Sequence, residues 1–262
     1  MESSRWLGVL RDAADHIIAE VSQARLKGAG MEIRNFKHLL DEAAQGALID
    51  TLTRGGVSAQ LISEEGNAVI GGGGPATIIA DPIDGTTNLA RGLRPAVTCL
   101  SVSGNGLLSG TVAALVSDIY SGETYTAERG RGAFLEGKPI RVAARNQNRF
   151  SMISLGFSKV PKLDRISPLL ANYQYIRMLG SSATELSLVA SGNLDAHLDI
   201  RGTLRATDVA AALTILREAG GTYAANGVFE GDIPLTKESV MELVAASNTE
   251  LLDELLYFTK GS

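Results

Sequence analysis

A chain of 262 residues can bury a large core as one domain or two, and 45% hydrophobic with 20% charged residues is the composition of an ordinary folded protein. The formal net charge of -5 argues against a duplex-DNA binder, which needs a basic face to displace counterions, and means that a small anionic substrate would need cations. One cysteine, Cys99, excludes an intrachain disulfide and a cysteine cluster for zinc.

Helical spacing of Trp6, Leu7, Leu10, Ala14, Ile17, Ile18 and Val21 predicts an amphipathic helix over 4–23, with Ser3 or Ser4 as its cap. A second helix is predicted over 36–53 from Leu39, Leu40, Ala43, Ala44, Ala47, Leu48 and Leu52, ended by Arg54-Gly55-Gly56. Lys27-Gly28-Ala29-Gly30 is the loop between them. From about 58 to 142, short apolar runs between turn residues predict strands, many antiparallel: Gln60–Ile62, Thr77–Ala80, Val97–Val102, Gly110–Val116 and Glu123–Ala127. Cys99 lies in such a run and is expected as a core thiol. Gly71-Gly72-Gly73-Gly74-Pro75 lacks the Gly-Lys-Ser/Thr ending of a phosphate loop and precedes a strand, so a mobile hairpin connection is expected.

Beyond about 145, strands and helices alternate: Ser151–Leu155, a helix near 166–171, Tyr175–Met178, a helix near 182–191, Asp195–Ile200, and a helix over 208–219. Asn146-Gln147-Asn148 is the expected boundary between an α+β half, 1–145, and an α/β half, 146–262, in close contact. No stretch approaches the roughly 18 apolar residues of a membrane span, and the first residues show no signal-peptide pattern, so a cytoplasmic protein is expected.

The chemistry concentrates in Asp81-Pro82-Ile83-Asp84-Gly85-Thr86-Thr87-Asn88. Two carboxylates converging just past a strand end favour a hard divalent cation, with the Ile83 carbonyl as a further oxygen, although Asp-Pro-x-Asp alone is often only a turn. Gly85 and the hydroxyls after it, at a helix start, suit a phosphate, and phosphate-ester hydrolysis needs both features at one point. Glu64-Glu65 stands at another strand end, where exposed pairs are usually solvated, and Asp208 opens a helix that it need only cap.

Glu64-Glu65, the Asp81–Asn88 block, and Asp208-Val209-Ala210-Ala211-Ala212 with Glu218-Ala219-Gly220-Gly221 resemble the successive signatures of the inositol monophosphatase family, over about 37–223. The resemblance implies a layered α/β/α/β/α sandwich and a metal-activated water attacking a phosphomonoester. It implies two or three Mg²⁺ ions on Glu64, Asp81, the Ile83 carbonyl, Asp84 and Asp208, with Glu65 in support. Thr86 matches the residue that positions the attacking water, Asp41 matches its carboxylate partner, and the amides of Gly85 and Thr86 would meet the phosphate. Gln45 departs from the family, which commonly carries a glutamate there.

The segment Leu198–Asp208 resembles archaeal and thermophile-type members, implying inositol 1-phosphate and/or fructose 1,6-bisphosphate as substrate and frequent homodimers. Gly180-Ser181-Ser182-Ala183 matches a substrate-side loop. Arg201 or Arg205 would contact a second phosphate or a hydroxyl, unless they are surface or interface ion pairs, and Asp199 is a weaker candidate for a sugar hydroxyl. A nucleotide phosphatase acting on 3′-phosphoadenosine 5′-phosphate or NADP stays open, as does a non-catalytic interaction protein on the same scaffold. His16, His38 and His197 are scattered and form no metal-ligand pattern; Tyr173, Tyr175 and Tyr223 are expected to pack on strands.

Overall fold

The computed structural model describes residues 2–144, 150–158 and 163–259. Two long helices open it, α1 (Glu2–Lys27) and α2 (Ile33–Arg54). Leu10, Ala14, Ile17 and Val21 on the first, and Leu40, Ala44, Ala47, Leu48 and Leu52 on the second, are buried stripes at three-and-four spacing. Glu32 caps α2 by accepting the amides of Arg34 and Asn35. At Gly28 the chain turns so tightly that a Cβ would fall 2.3 Å from the Phe36 ring.

The middle of the chain forms an eight-stranded sheet. Its strands are β1 (Ala59–Ser63), β2 (Ala68–Ile70), β3 (Thr77–Asp84), β4 (Val97–Ser103), β5 (Thr111–Asp118), β6 (Thr124–Glu128), β7 (Gly132–Leu135) and β8 (Lys138–Ile140), in the order β2-β1-β3-β4-β5-β6-β7-β8. Neighbours are antiparallel except β1 and β3, which run parallel, and the short helix α3 (Thr86–Ala90) joins β3 to β4.

A second sheet, ordered β10-β9-β11-β14-β12-β13, comprises β9 (Met152–Leu155), β10 (Tyr175–Arg177), β11 (Ala196–Arg205), β12 (Thr222–Ala225), β13 (Val228–Phe229) and β14 (Val240–Ala246). Its helices are α4 (Leu163–Asn172), α5 (Ser182–Ala190), α6 (Ala206–Glu218) and α7 (Thr249–Thr259).

Three clusters of buried residues show the layering. One joins α1 and α2 to the first sheet; the second joins that sheet through α5 and α6 to the next; the third joins the second sheet to α4 and α7. The architecture is therefore an α/β/α/β/α sandwich. α6 is the middle layer's most enclosed element: its residues from Val209 to Leu216 are buried on every side, so its sequence is apolar without a solvent stripe. The central cluster draws on residues before and after the expected boundary at 146–148, which itself lies outside the described residues. No helix among the described residues is long and apolar enough to cross a membrane.

Two expectations are corrected here. Gly71–Pro75 links β2 to β3, which flank β1 on opposite sides, so it is a crossing under the start of β1 instead of a hairpin. The glycines are required by proximity, since a Cβ on Gly71 or Gly74 would fall 2.2 Å from the Val57 carbonyl or 2.4 Å from the Ser58 carbonyl. The strand beginning at Thr77 does not stop at Ala80; it continues to Asp84. β2, β7, β8 and the elements from β12 to α7 carry no assignment from the sequence, although α7 buries Leu251, Leu252, Leu255 and Thr259 at helical spacing.

Candidate active site

β3 continues through Asp81-Pro82-Ile83-Asp84 with a bulge. Asp81 pairs with Cys99 and Asp84 with Val97, so Pro82 and Ile83 together oppose the single residue Thr98. Proline is tolerated there because a bulge interrupts the ladder. The extra residue also corrects the side-chain parity. Residues three apart on a regular strand face opposite ways, and the bulge returns both carboxylates to the face covered by α5 and α6. Ile83 points to the other side, into the core beneath α1 and α2.

The parallel neighbour supplies the next carboxylate. β1 ends at Ser63, the Glu64 amide donates to the Ala80 carbonyl at 3.1 Å, and Glu64 thereby stands beside Asp81. Asp208 arrives on the first turn of α6, where it accepts the Arg205 amide at 3.2 Å and the Thr207 hydroxyl at 3.1 Å. It thus caps its helix and joins the site at once. Glu64, Asp81 and Asp208 bring one oxygen each to within 4.8 Å of one another. Asp84 completes the group from the side, its Oδ2 accepting the Ser181 hydroxyl and the Ala183 amide, each at 2.8 Å.

Such crowding costs free energy unless a cation offsets it. Burial, and then the neighbouring carboxylates, push Asp81 well above the usual carboxylate range. Burial and Asp208 push Asp84 up to about 7, with Ser181 and Ala183 pulling against them. Burial and Glu64 raise Asp208 to about 6. An all-oxygen, anionic donor set of this kind suits a hard divalent ion and no soft one, so the residues fit the implied Mg²⁺.

Gly85, at φ 94°, turns the chain from β3 into α3, and a Cβ there would lie 2.9 Å from the Pro95 carbonyl, so no other residue fits. The Thr86 hydroxyl donates to the Ile83 carbonyl at 2.9 Å and lies in hydrogen-bonding reach of Asp41 on α2. Burial, followed by repulsion from Glu65, lifts Asp41 to about 6, against the pull of Thr86 and Lys37. Glu65 is raised by burial and by Glu64.

Asp41, Glu64, Glu65, Asp81, Ile83, Asp84, Gly85, Thr86, Gly180, Ser181, Ser182 and Asp208 are therefore brought to one region. Ser181 caps α5 by accepting the Thr184 amide, and Gly180 before it adopts φ 81°. Arg205 reaches in and pairs with Glu64. Asp199 is a correction: it has no exposed surface, and both its oxygens are taken by Arg201, through Nε at 2.8 Å and Nη2, so it orients a guanidinium instead of meeting a hydroxyl. The other Arg201 nitrogen donates to the Ser158 carbonyl at 2.8 Å.

Lys37 escaped the sequence reading, and Gln45 was noted there only as a departure from the family, with no role. Lys37 donates to the Thr87 hydroxyl at 3.0 Å, placing a cation beside the Gly85 turn. Gln45 accepts the Ser63 hydroxyl at 2.8 Å and donates to the Gly66 carbonyl at 2.9 Å, pinning the turn that carries Glu64 and Glu65. Lys37, Asp41 and Gln45 are four apart on one helix, which puts them on one face, and that spacing was the available signal. Cys99 is buried and its thiol pushed well up, as a core residue should be. Of the histidines, His197 is buried and driven down to about 4 by desolvation. Tyr173 and Tyr223 are buried, whereas Tyr175 is exposed.

A five-layer α/β sandwich with carboxylates gathered at strand ends beside a glycine turn defines a phosphatase class. The model of the inositol monophosphatase family matches residues 7–257, and the chain belongs to that family. A fructose-1,6-bisphosphatase/inositol-1-monophosphatase of Methanothermobacter thermautotrophicus is 34% identical over 229 residues, covering 83% of this chain and 81% of the relative. A Salmonella typhimurium relative named Nus factor SuhB is 28% identical, covering 93% of this chain and 92% of its own. A solved structure from Pyrococcus horikoshii, described as similar to inositol-1 monophosphatase, superposes with TM-score 0.71 at 28% identity, covering 83% of each chain. The protein is a phosphatase of this family.

Proposed function

We propose that the chain hydrolyses inositol 1-phosphate and/or fructose 1,6-bisphosphate with Mg²⁺ as its cofactor. The observation that carries this is the convergence of Glu64, Asp81 and Asp208 to within 4.8 Å, next to the Gly85–Thr86 turn. Bound ions would offset the carboxylate repulsion, make water a better nucleophile at neutral pH and stabilise the departing alkoxide.

The protein's own groups do the positioning. Thr86 is anchored through its hydroxyl to the Ile83 carbonyl, and so is held at the mouth of the cluster to orient a water. Asp41, lifted to about 6, would take the water's proton through Thr86 once the Thr86 hydroxyl turns its single hydrogen from the Ile83 carbonyl to the Asp41 carboxylate. The Gly85 and Thr86 amides, free of side-chain capping, are the donors offered to phosphate oxygens. Arg201, already held by Asp199 and the Ser158 carbonyl, and Arg205, paired with Glu64, would each have to turn a remaining N–H to a second phosphate or a hydroxyl.

The substrate assignment is supported by the double name of the Methanothermobacter relative. Phosphate release with Mg²⁺, and with the ion chelated, is to be measured across fructose 1,6-bisphosphate, inositol phosphates, NADP and 3′-phosphoadenosine 5′-phosphate. Preference for the adenosine compounds overturns the substrate class. No release from any ester favours the non-catalytic interaction role, which the intact carboxylate set argues against. The proposed assembly is a cytoplasmic homodimer, which light scattering in solution checks for oligomeric state.

A further inference from the structure

Leu179 belongs to no motif, yet both of its backbone polar groups are held by side chains. Its N–H donates to Glu185 Oε1 at 2.9 Å, and its carbonyl accepts from Asn88 Nδ2 at 2.9 Å. Glu185, only 1% exposed, is on α5, and Asn88 is on α3, so two helices from distant parts of the chain grip one residue. Neither side chain is needed for a local cap. Ser181 already caps α5, and Asn88 spends its other Nδ2 hydrogen on the Pro95 carbonyl at 3.0 Å.

Behind Glu185 stands a buried polar chain. Its Oε2 lies 3.7 Å from His197 Nδ1, which is 2.9 Å from the Ser154 hydroxyl. Glu185 is thus buried between the Leu179 amide and His197. In front of it, Gly180 fits closely enough against Asn88 that a Cβ would lie 3.3 Å from Nδ2. The loop then delivers two donors, the Ser181 hydroxyl and the Ala183 amide, to a single oxygen of Asp84. Oδ2 thereby accepts two donors from this loop, which fixes the carboxylate on the side of α5.

We propose that Glu185 and Asn88 are positioning residues that clamp Leu179, and through loop 179–183 fix the orientation of the Asp84 carboxylate. The clamp ties the loop flanking the site to a carboxylate of the site, so both are set by one rigid connection. A metal ligand that is itself held by donors loses less entropy on binding an ion, and groups of this outer kind are worth roughly 10–100-fold in metal affinity. The inference rests on the reading of the site as a Mg²⁺-dependent phosphatase.

The test uses Glu185→Gln, Glu185→Leu and Asn88→Ala in the full chain. Hydrogen exchange of the segment 179–183 is measured in Mg²⁺-free buffer, and Mg²⁺ binding by calorimetry. Glu185→Leu and Asn88→Ala are expected to speed exchange by about tenfold or more and to weaken Mg²⁺ binding on the order of tenfold. Glu185→Gln keeps the acceptor for the Leu179 amide and should stay within about twofold of the parent in both. The double variant should lose less than the product of the single losses, because both side chains act on one residue.

Exchange and Mg²⁺ affinity in Asn88→Ala within about twofold of the parent overturn the clamp, even if Glu185→Leu fails to fold. So does a Glu185→Gln variant as damaged as Glu185→Leu. Failure of the phosphatase reading is separate: it shows as no phosphate release from any ester while exchange and Mg²⁺ binding still respond as described.

Discussion

Replacing Glu185 by glutamine should change how the stability of the metal-free protein depends on pH. Burial, with the charges of Asp84 and Asp199 behind it, raises the Glu185 carboxyl to about 8 from 4.5, against the Leu179 amide and Arg201. Below pH 4.5 the group is protonated in both folded and unfolded chains and costs nothing. Between the two values the unfolded chain ionises while the folded one keeps its proton, so stability is lost as pH rises and is fully lost near pH 8. A difference of that size corresponds to about 5 kcal/mol in total, or about 1.4 kcal/mol for each pH unit.

Glutamine has nearly the same shape, keeps the oxygen that the Leu179 amide needs, and does not titrate. Urea unfolding followed by circular dichroism at pH 5, 6, 7 and 8, without divalent ions, measures both proteins. The stability of Glu185→Gln relative to the parent should climb steadily by about 3–4 kcal/mol from pH 5 to 8. His197, driven down to about 4, stays neutral over that range and adds nothing to the difference. Parallel profiles, agreeing within about 0.5 kcal/mol after one constant offset, would refute the claim that this carboxyl is buried in its neutral form.

Asp84→Asn should lower kcat by ~10²-fold or more while leaving the circular dichroism spectrum and cooperative unfolding intact, because the amide oxygen still accepts from Ser181 and Ala183. An unchanged rate of phosphate release would remove Asp84 from the site. Gly85→Ala should destabilise by about 1–3 kcal/mol and impair turnover, since φ is 94° and the added methyl meets the Pro95 carbonyl; thermal unfolding and phosphate release read both effects. Leu213→Ala, in the fully enclosed α6, should cost about 2–5 kcal/mol by urea titration without altering Mg²⁺ affinity.

Much of this protein is legible one segment at a time. The stripes of α1 and α2 lie where three-and-four spacing puts them, and β1, β3, β4, β5 and β6 fall on the apolar runs, because the period of burial is written in the residues themselves; the short β2 was not among them. The spacing of Asp81 and Asp84 beside Gly85 likewise raised the expectation of a cation and a phosphate, since those residue types suit that chemistry.

What the sequence alone left open depended on partners distant in the chain. That Asp81 and Asp84 face the same way depends on a bulge against β4, and strand parity cannot be read without the partner strand. From its own segment Asp208 read as a helix cap, and only the family resemblance made it a ligand; with α6 set against the ends of β1 and β3 it both accepts the Arg205 amide and joins the carboxylate cluster. Asp199 looked like a free carboxylate until Arg201 was seen to occupy it. Glu185, unremarked in its helix, acquired a part only when packing brought Leu179, Asn88 and His197 around it. Local pattern determines which elements form and what chemistry they can carry. The direction in which a side chain points, and the charge it bears there, are set by neighbours that only the tertiary structure supplies.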